Sequence, residues 1–422
     1  MRGEMKMRKK LLSIVLSVFM LCSSTVGVYA SENVSGLDSL QQEQKTEVIE
    51  EAATAFSQAP VEKSGYKGME TEVSVITDKE YSEIQRRDAV IESETCSEAK
   101  ASYWNSFSND YYYNKLSKQE KKAWNELNRL CMSVAESGKN IKGYGVETRT
   151  YYFKGWSSRK VFDFVNTFKI SHPQYFFLSN RSFLRWNWTK GYILGIRVYD
   201  SFKKGSYRKN QVNSFCKRVN SWVSKIKKTS SLPEKRHKAA FDIVCKNTVY
   251  KYGTYDQSAY SMVCQGKTVC AGYAATLQML LNASGVRTVE VTSIDHAWNI
   301  VKIHGQWYQS DTTWADKDSK GIDYTYYGRS EKTLSHNGRD RHHVIESFWK
   351  KPAAKYDEVI TKNYVSPYFN KGTYKWFIVN KNTNLKGSRL AKPVMGFRGT
   401  SVKSAPKYVK YNNKKYKNIN RC

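Results

Sequence analysis

Val269-Cys270-Ala271-Gly272-Tyr273-Ala274 is the stretch whose reading decides this chain. After Cys270, Ala274, Leu277, Leu280 and Leu281 fall on one side of a helical repeat, and Ser284-Gly285 stops it. Cys270 is therefore expected at or just before a helix N-terminus. There the helix dipole and the first-turn N–H groups favour a thiolate, which is the nucleophilic form of cysteine. The same N–H groups can stabilise an oxyanion.

Strand patterns follow. Val286 to Ile294 is rich in β-branched residues, His296 to Ile303 reads as the next strand, and Gln306 to Thr313 returns after His304-Gly305. A two-residue turn sets Ile303 opposite Gln306 and, counting back, Trp298 opposite Asp311. His296 lies on the Trp298 face, so His296 and Asp311 become diagonal neighbours. An Nδ1–H to carboxylate bond is then within reach. A three-residue loop without a bulge would break this parity. In such an arrangement His296 removes the thiol proton and later protonates the leaving amine, while Asp311 fixes the imidazole tautomer.

VCAGYA (269–274), HAWNIVKIHGQWY (296–308) and DTTWAD (311–316) resemble the nucleophile, histidine and aspartate motifs of the transglutaminase-like superfamily of papain-fold thiol enzymes, in the family's order. The resemblance covers roughly residues 235 to 350, and the lead-in is similar to secreted bacterial members. It implies an α+β fold with the nucleophile helix packed on an antiparallel sheet, and Cys270, His296 and Asp311 as the catalytic triad. It implies no cofactor. The family's second oxyanion donor is an upstream side chain of variable position, for which Tyr252, Tyr255 and Gln257 are the candidates.

Working outward, five segments are expected. Residues 1–30 read as a secretory signal, with a basic start (Arg2, Lys6, Arg8, Lys9, Lys10), an apolar run from Leu11 to Leu21 and a small residue at Ala30. No second long apolar run follows, so the mature chain is expected outside the membrane, secreted or surface-associated. Residues 31–95 are rich in Ser, Glu, Gln and Thr and read as an acidic flexible leader. Residues 96–230 read as an accessory, mostly helical region. A capping box at Ser117 and Glu120 opens one helix. Val161 to Phe168 gives another that stops before Pro173. Arg149 to Phe153 alternates like a strand, and Asn210–Lys228 and Glu234–Lys246 read as further helices. Residues 231–350 are the catalytic core. Residues 351–422 form a basic, aromatic, β-rich tail with strand-like runs such as Tyr374 to Val379.

The net charge of the 422 residues is +31, and removing the signal leaves roughly +27. A cation this strong seeks polyanions. Given export, an anionic cell-wall polymer met by the tail is favoured over nucleic acid. The acidic leader could also lie over a basic cleft as an inhibitory propeptide. Eight cysteines include six beyond the signal and Cys270, which permits disulfides, although Cys131, Cys216 and Cys245 fit equally as buried thiols.

Rival chemistries are weaker. Cys264, Cys270 and His296 could supply zinc ligands, but no Cys-x-x-Cys spacing supports a metal site. Asp316, Asp318 and Asp323 with Gly321 faintly resemble a calcium loop, but Lys320 occupies a ligand position. Trp298, Trp307 and Trp314 are expected as core or cleft walls. His336, His342 and His343 are expected at the surface, with His336 nearest the cleft rim. The functional expectation is an exported cysteine enzyme acting on amide bonds through an acyl-thioester. A protease or amidase acting on protein or peptidoglycan peptides is favoured. Amine transfer, which cross-links glutamine side chains, is the first alternative. A non-catalytic wall-binding protein on the same fold is the second.

Overall fold

Ser117 begins the first long helix as the sequence predicts. Its hydroxyl accepts the Glu120 N–H at 3.3 Å, and the Glu120 carboxylate accepts the Ser117 N–H at 2.6 Å. In this computed structural model the described residues are 65–88, 97–318, 321–336, 338–345 and 351–354, with the backbone of four short strands beyond residue 372. The signal, most of the leader, Cys22, Cys96 and Cys422 lie outside them.

The helices in chain order are α1 (Asp78–Asp88), α2 (Glu98–Asn105), α3 (Lys118–Glu136), α4 (Ser158–Ser171), α5 (Gly205–Thr229), α6 (Pro233–Lys246) and α7 (Cys270–Ala283). The strands are β1 (Glu70–Val75), β2 (Gly145–Glu147), β3 (Leu178–Asn187), β4 (Gly191–Val198), β5 (Val249–Tyr250), β6 (Lys267–Thr268), β7 (Thr288–Thr292), β8 (Ala297–Ile303) and β9 (Gln306–Ser310). The architecture is mixed helix and sheet, as an α+β chain requires. Beyond it, Thr373–Trp376 pairs antiparallel with Met395–Arg398, and Tyr408–Tyr411 with Lys414–Lys417. The side chains of that basic tail lie outside the described residues.

Two expectations are corrected. The accessory region holds a sheet beside its helices, since β2, β3 and β4 join β1 in a four-stranded sheet of order β1-β3-β4-β2. The two long strands escape a period-2 reading because β4 is buried at all positions but Arg197, so apolar residues do not alternate with polar ones. The strand expected at Arg149–Phe153 is instead Gly145–Glu147, and Tyr152 makes only an isolated bridge to Tyr192. The leader is not wholly flexible. Glu70–Val75 pairs in parallel with β3, and Glu72 meets Arg197 at 2.6 Å.

Helix α7, which begins at Cys270, is buried at every position except Asn282, so it is a central helix rather than an amphipathic one. It packs against α5 and α6 and against β7 and β8 of the antiparallel sheet β7-β8-β9. Two glycines bound it. Gly285 adopts a φ of 80° at the stop. Gly272 lies where a Cβ would sit 1.9 Å from Thr268 Oγ1 and 2.9 Å from the Ser258 carbonyl. Thr268 cannot swing away cheaply, since its hydroxyl donates to the Asp256 carbonyl and accepts from Ser261. Gly272→Ala gains about 1 kcal/mol of helix propensity and loses more to overpacking. We expect a net destabilisation of about 2 kcal/mol, read as a lower urea midpoint of the whole chain. An unchanged midpoint would show that the Thr268 contact yields.

Candidate active site

Cys270 is the first residue of α7, and its N-cap Val269 supplies no side-chain cap. The Gly272 and Tyr273 N–H groups donate to the Val269 carbonyl at 3.0 and 3.2 Å, so of the first turn the Cys270 and Ala271 N–H groups are those without an intrahelical acceptor. The short parallel pair β5–β6 delivers this corner, with Tyr250 opposite Thr268. Asn299 on β8 donates to the Ala274 carbonyl at 3.0 Å, tying the nucleophile helix to the histidine strand. Cys270, Ala274 and Ala297 form one buried cluster.

His296 sits one residue before β8, in a tight turn. Its N–H donates to Ser293 Oγ at 3.1 Å, and its carbonyl accepts from the Ser293 N–H at 2.9 Å. The hairpin has the two-residue turn, with His304 at φ 47° and Gly305 at φ 87°. Ile303 pairs with Gln306 and Asn299 with Ser310. Asp311 is thus the next position, but it is not a strand residue. It caps a helical turn at Thr312–Ala315. Its Oδ1 accepts from the Thr313 and Trp314 N–H groups at 2.8 and 3.2 Å, which leaves Oδ2 for the imidazoles.

His296 Nε2 lies 2.8 Å from Asp311 Oδ2. The nitrogen used differs from the expected Nδ1. Nδ1 has no hydrogen-bond partner among the described residues, and the ring as a whole feels the Cys270 thiol. Both residues are fully buried. Burial opposes charge on His296, but the Asp311 charge and then Cys270 outweigh it and raise its pKa to about 9. Burial likewise pushes the Asp311 carboxyl up, and the two imidazoles beside it pull it well below the usual carboxylate range.

The second imidazole is His343, expected at the surface and found buried. Its Nε2 lies 2.9 Å from Asp311 Oδ2 and its Nδ1 2.7 Å from Asp340 Oδ2. Carboxylates only accept, so both ring nitrogens must donate and the ring is a cation. Burial opposes that charge, and the bonds to Asp311 and Asp340 raise the pKa to about 9. No local pattern in Asp340–His343 marks this role; the partner is 32 residues away. His342 meets Asp295 at 2.8 Å.

His296, Asp311 and His343 also offer three ligand atoms close together. Their 2.8 and 2.9 Å separations are hydrogen-bond lengths, shorter than the about 3.3 Å edge of a tetrahedral zinc site with ligands near 2 Å. The expected alternative, Cys264 with Cys270 and His296, is not among the grouped ligands of the described residues. Cys131, Cys216, Cys245, Cys264 and Cys270 are thiols rather than disulfides. The aspartates of the faint calcium loop have other work. Asp316 accepts from the Tyr273 hydroxyl at 2.6 Å, and Asp323 caps the turn at Tyr324–Tyr326.

Of the expected oxyanion donors, Tyr252 is exposed. Tyr255 packs among Tyr199, Phe202 and Tyr260. Gln257 is bonded to backbone at residues 65 and 67. The sequence reading missed Tyr250, whose hydroxyl feels Cys270. Burial first, and then that thiol, push its pKa far up, so it stays a neutral donor. Trp298 stacks on His296 and Trp314 edges His343, as walls of the site. Trp307 instead meets Tyr111.

Because both imidazole pKa values lie above the ordinary 6.5 or so, their contribution to stability is complete below about pH 6.5. It is lost as pH rises through about 9. Asp311 contributes above the ordinary carboxylate range and fails only in strong acid. His343→Gln should flatten the fall in urea stability between about pH 6 and 9.5 by roughly 2 kcal/mol. An unchanged slope would show that His343 carries no excess proton.

No family model and no curated protein matches this chain. Among solved structures, it is similar to a TGase at 16% identity, covering 32% of this chain and 44% of the other, with a TM-score of 0.22. It is similar to the periplasmic domain of TgpA from Pseudomonas aeruginosa at 13% identity, covering 30% and 46%, with a TM-score of 0.20. The chain spans less than half the length of either.

Proposed function

We propose that this chain is a transglutaminase-like cysteine enzyme that forms an acyl-thioester at Cys270. One observation carries the reading: a cysteine at a helix N-terminus beside an imidazole whose other nitrogen is held by a buried carboxylate. His296, kept charged near neutral pH by its pKa of about 9, holds the thiol's proton, and the Cys270 sulfur attacks an amide carbonyl. The oxyanion is met by the Cys270 N–H and the Tyr250 hydroxyl. His296 then gives its proton to the leaving amine, and a thioester remains. Water as acceptor makes the enzyme a protease or amidase, the reading we favour; an amine as acceptor makes it a cross-linker.

The deciding experiment incubates the chain with a glutamine-containing peptide and a primary amine and weighs the products. Peptide cleavage, deamidation and amine incorporation give three different masses. If none forms with any peptide or peptidoglycan fragment, the non-catalytic alternative takes over. No described helix is long and apolar enough to cross a membrane. The basic and apolar run from Arg2 to Leu21 supports export, and the excess of Lys supports retention on an anionic wall polymer. Retention on teichoic acid that survives high salt undiminished would refute the charge-driven part.

A further inference from the structure

Cys270 and His296 are both fully buried, yet a nucleophile and its base must be reached by a substrate. The chain's own Tyr66 packs against the cluster of Cys270, Ala274 and Ala297. The segment around it is held by backbone. The Tyr66 N–H donates to the Asp295 carbonyl at 3.2 Å, one residue before His296. The Gln257 side chain clamps both flanks of Tyr66, accepting the Lys67 N–H at 2.8 Å and donating to the Gly65 carbonyl at 2.8 Å. Asn180 Nδ2 donates to the Lys67 carbonyl at 2.5 Å, while its own Oδ1 accepts from the buried Lys169 ammonium. At Gly65 a Cβ would lie 2.6 Å from the Tyr250 hydroxyl and 3.0 Å from both the Tyr252 ring and Val269.

We infer that the groove beside Cys270 is a binding site for an extended peptide carrying glycine where the chain passes Tyr250, and that residues 65–69 fill this site in cis. The clamp reads main chain, so it accepts many side chains, whereas the glycine position is selective because backbone must approach the Tyr250 hydroxyl closely. The same contacts explain why the strap can leave. Lys67 and Gly68 are exposed, and all six residues of β1 that follow are exposed edge strand. Release therefore uncovers two apolar side chains of the strap, the half-buried Tyr66 and the buried Met69. The strap is held over the site by shape and main-chain bonds rather than by the acidic charge of the leader. This inference rests on the reading of Cys270 as the nucleophile.

The test is alkylation of Cys270 by iodoacetamide in the full chain, followed by mass spectrometry of its peptide. Gly65→Val, which places methyls against Tyr250, and Tyr66→Ser, which removes the cover, should each speed labelling by roughly tenfold or more over wild type. A synthetic peptide of residues 62–71 should slow labelling of Gly65→Val again, and the same peptide with valine at position 65 should not. Thermal melting checks that each variant is folded; Tyr66→Ser changes only a half-buried strap residue and serves if Gly65→Val does not fold. Wild-type labelling as fast as that of unfolded protein would overturn the inference. So would folded variants labelled at the wild-type rate. If labelling rises as expected but no peptide product forms, the groove stands and the acyl-enzyme reading falls.

Discussion

Cys270→Ala should lower turnover of any peptide or amide substrate by on the order of 10^4-fold or more, with little change in substrate binding. The reason is chemical, since no other group in the cluster can replace the sulfur. His296 is committed to Asp311 through Nε2. The Tyr250 hydroxyl is held neutral by burial and by the thiol beside it, so it is a donor and a poor nucleophile. Stability should change little, because alanine retains the Cβ at a buried helix start. The measurement is steady-state kcat and KM for wild type and variant on the substrate found by product mass. Turnover within tenfold of wild type would remove Cys270 from the mechanism.

Asp311→Ala carries the second large effect, on stability as well as activity. This one carboxylate accepts from two backbone N–H groups and two imidazoles. Its loss uncaps the Thr312–Ala315 turn and leaves buried cationic imidazole uncompensated, which costs on the order of 3–5 kcal/mol. Of the influences that oppose burial at His296, Cys270 then remains without Asp311, so its pKa falls and the imidazole holds the thiol proton less well. Turnover should fall by roughly 10^3- to 10^4-fold. Asp311→Asn separates the two losses. Its side-chain oxygen can still cap the turn, while its amide faces nitrogens that also donate. Urea unfolding should show Asn much less destabilised than Ala, with turnover lost in both. If Asn turns over within tenfold of wild type, Asp311 is a structural cap and the imidazole needs no carboxylate.

Local sequence carried much of this site. The helix start at Cys270 followed from apolar spacing and the Ser284-Gly285 stop. The pairing of Ile303 with Gln306 followed from a turn whose two residues both adopt positive φ, His304 at 47° and Gly305 at 87°. Diagonal reach between His296 and Asp311 was then arithmetic. The Ser117–Glu120 cap was equally legible, because the bond partners lie three residues apart.

What was illegible lay across the chain or depended on which atom points where. Asp311 looked like a strand residue because its cap is formed by backbone N–H groups, which every residue has. The choice of Nε2 over Nδ1 is a rotamer outcome. His343 reached Asp311 only through a loop with no periodic signal. Tyr250 and Gln257 lie before the nucleophile on a two-residue strand and a loop, too short for pattern. The strap at Gly65–Met69 was hidden in a polar leader, since main-chain bonds to Gln257 leave no mark in side-chain composition.

The sequence by itself determined the order of cysteine, imidazole and carboxylate, and the helix and hairpin beside which they lie, because helix and hairpin periodicities act over neighbouring residues. Only the tertiary structure decided that the carboxylate serves two imidazoles, that the Tyr250 hydroxyl feels the thiol while Tyr252 is exposed and Tyr255 packs among other rings, and that the chain's own Tyr66 packs against the Cys270 cluster. Those outcomes depend on long-range packing and on the desolvation it imposes, which no local stretch of residues contains.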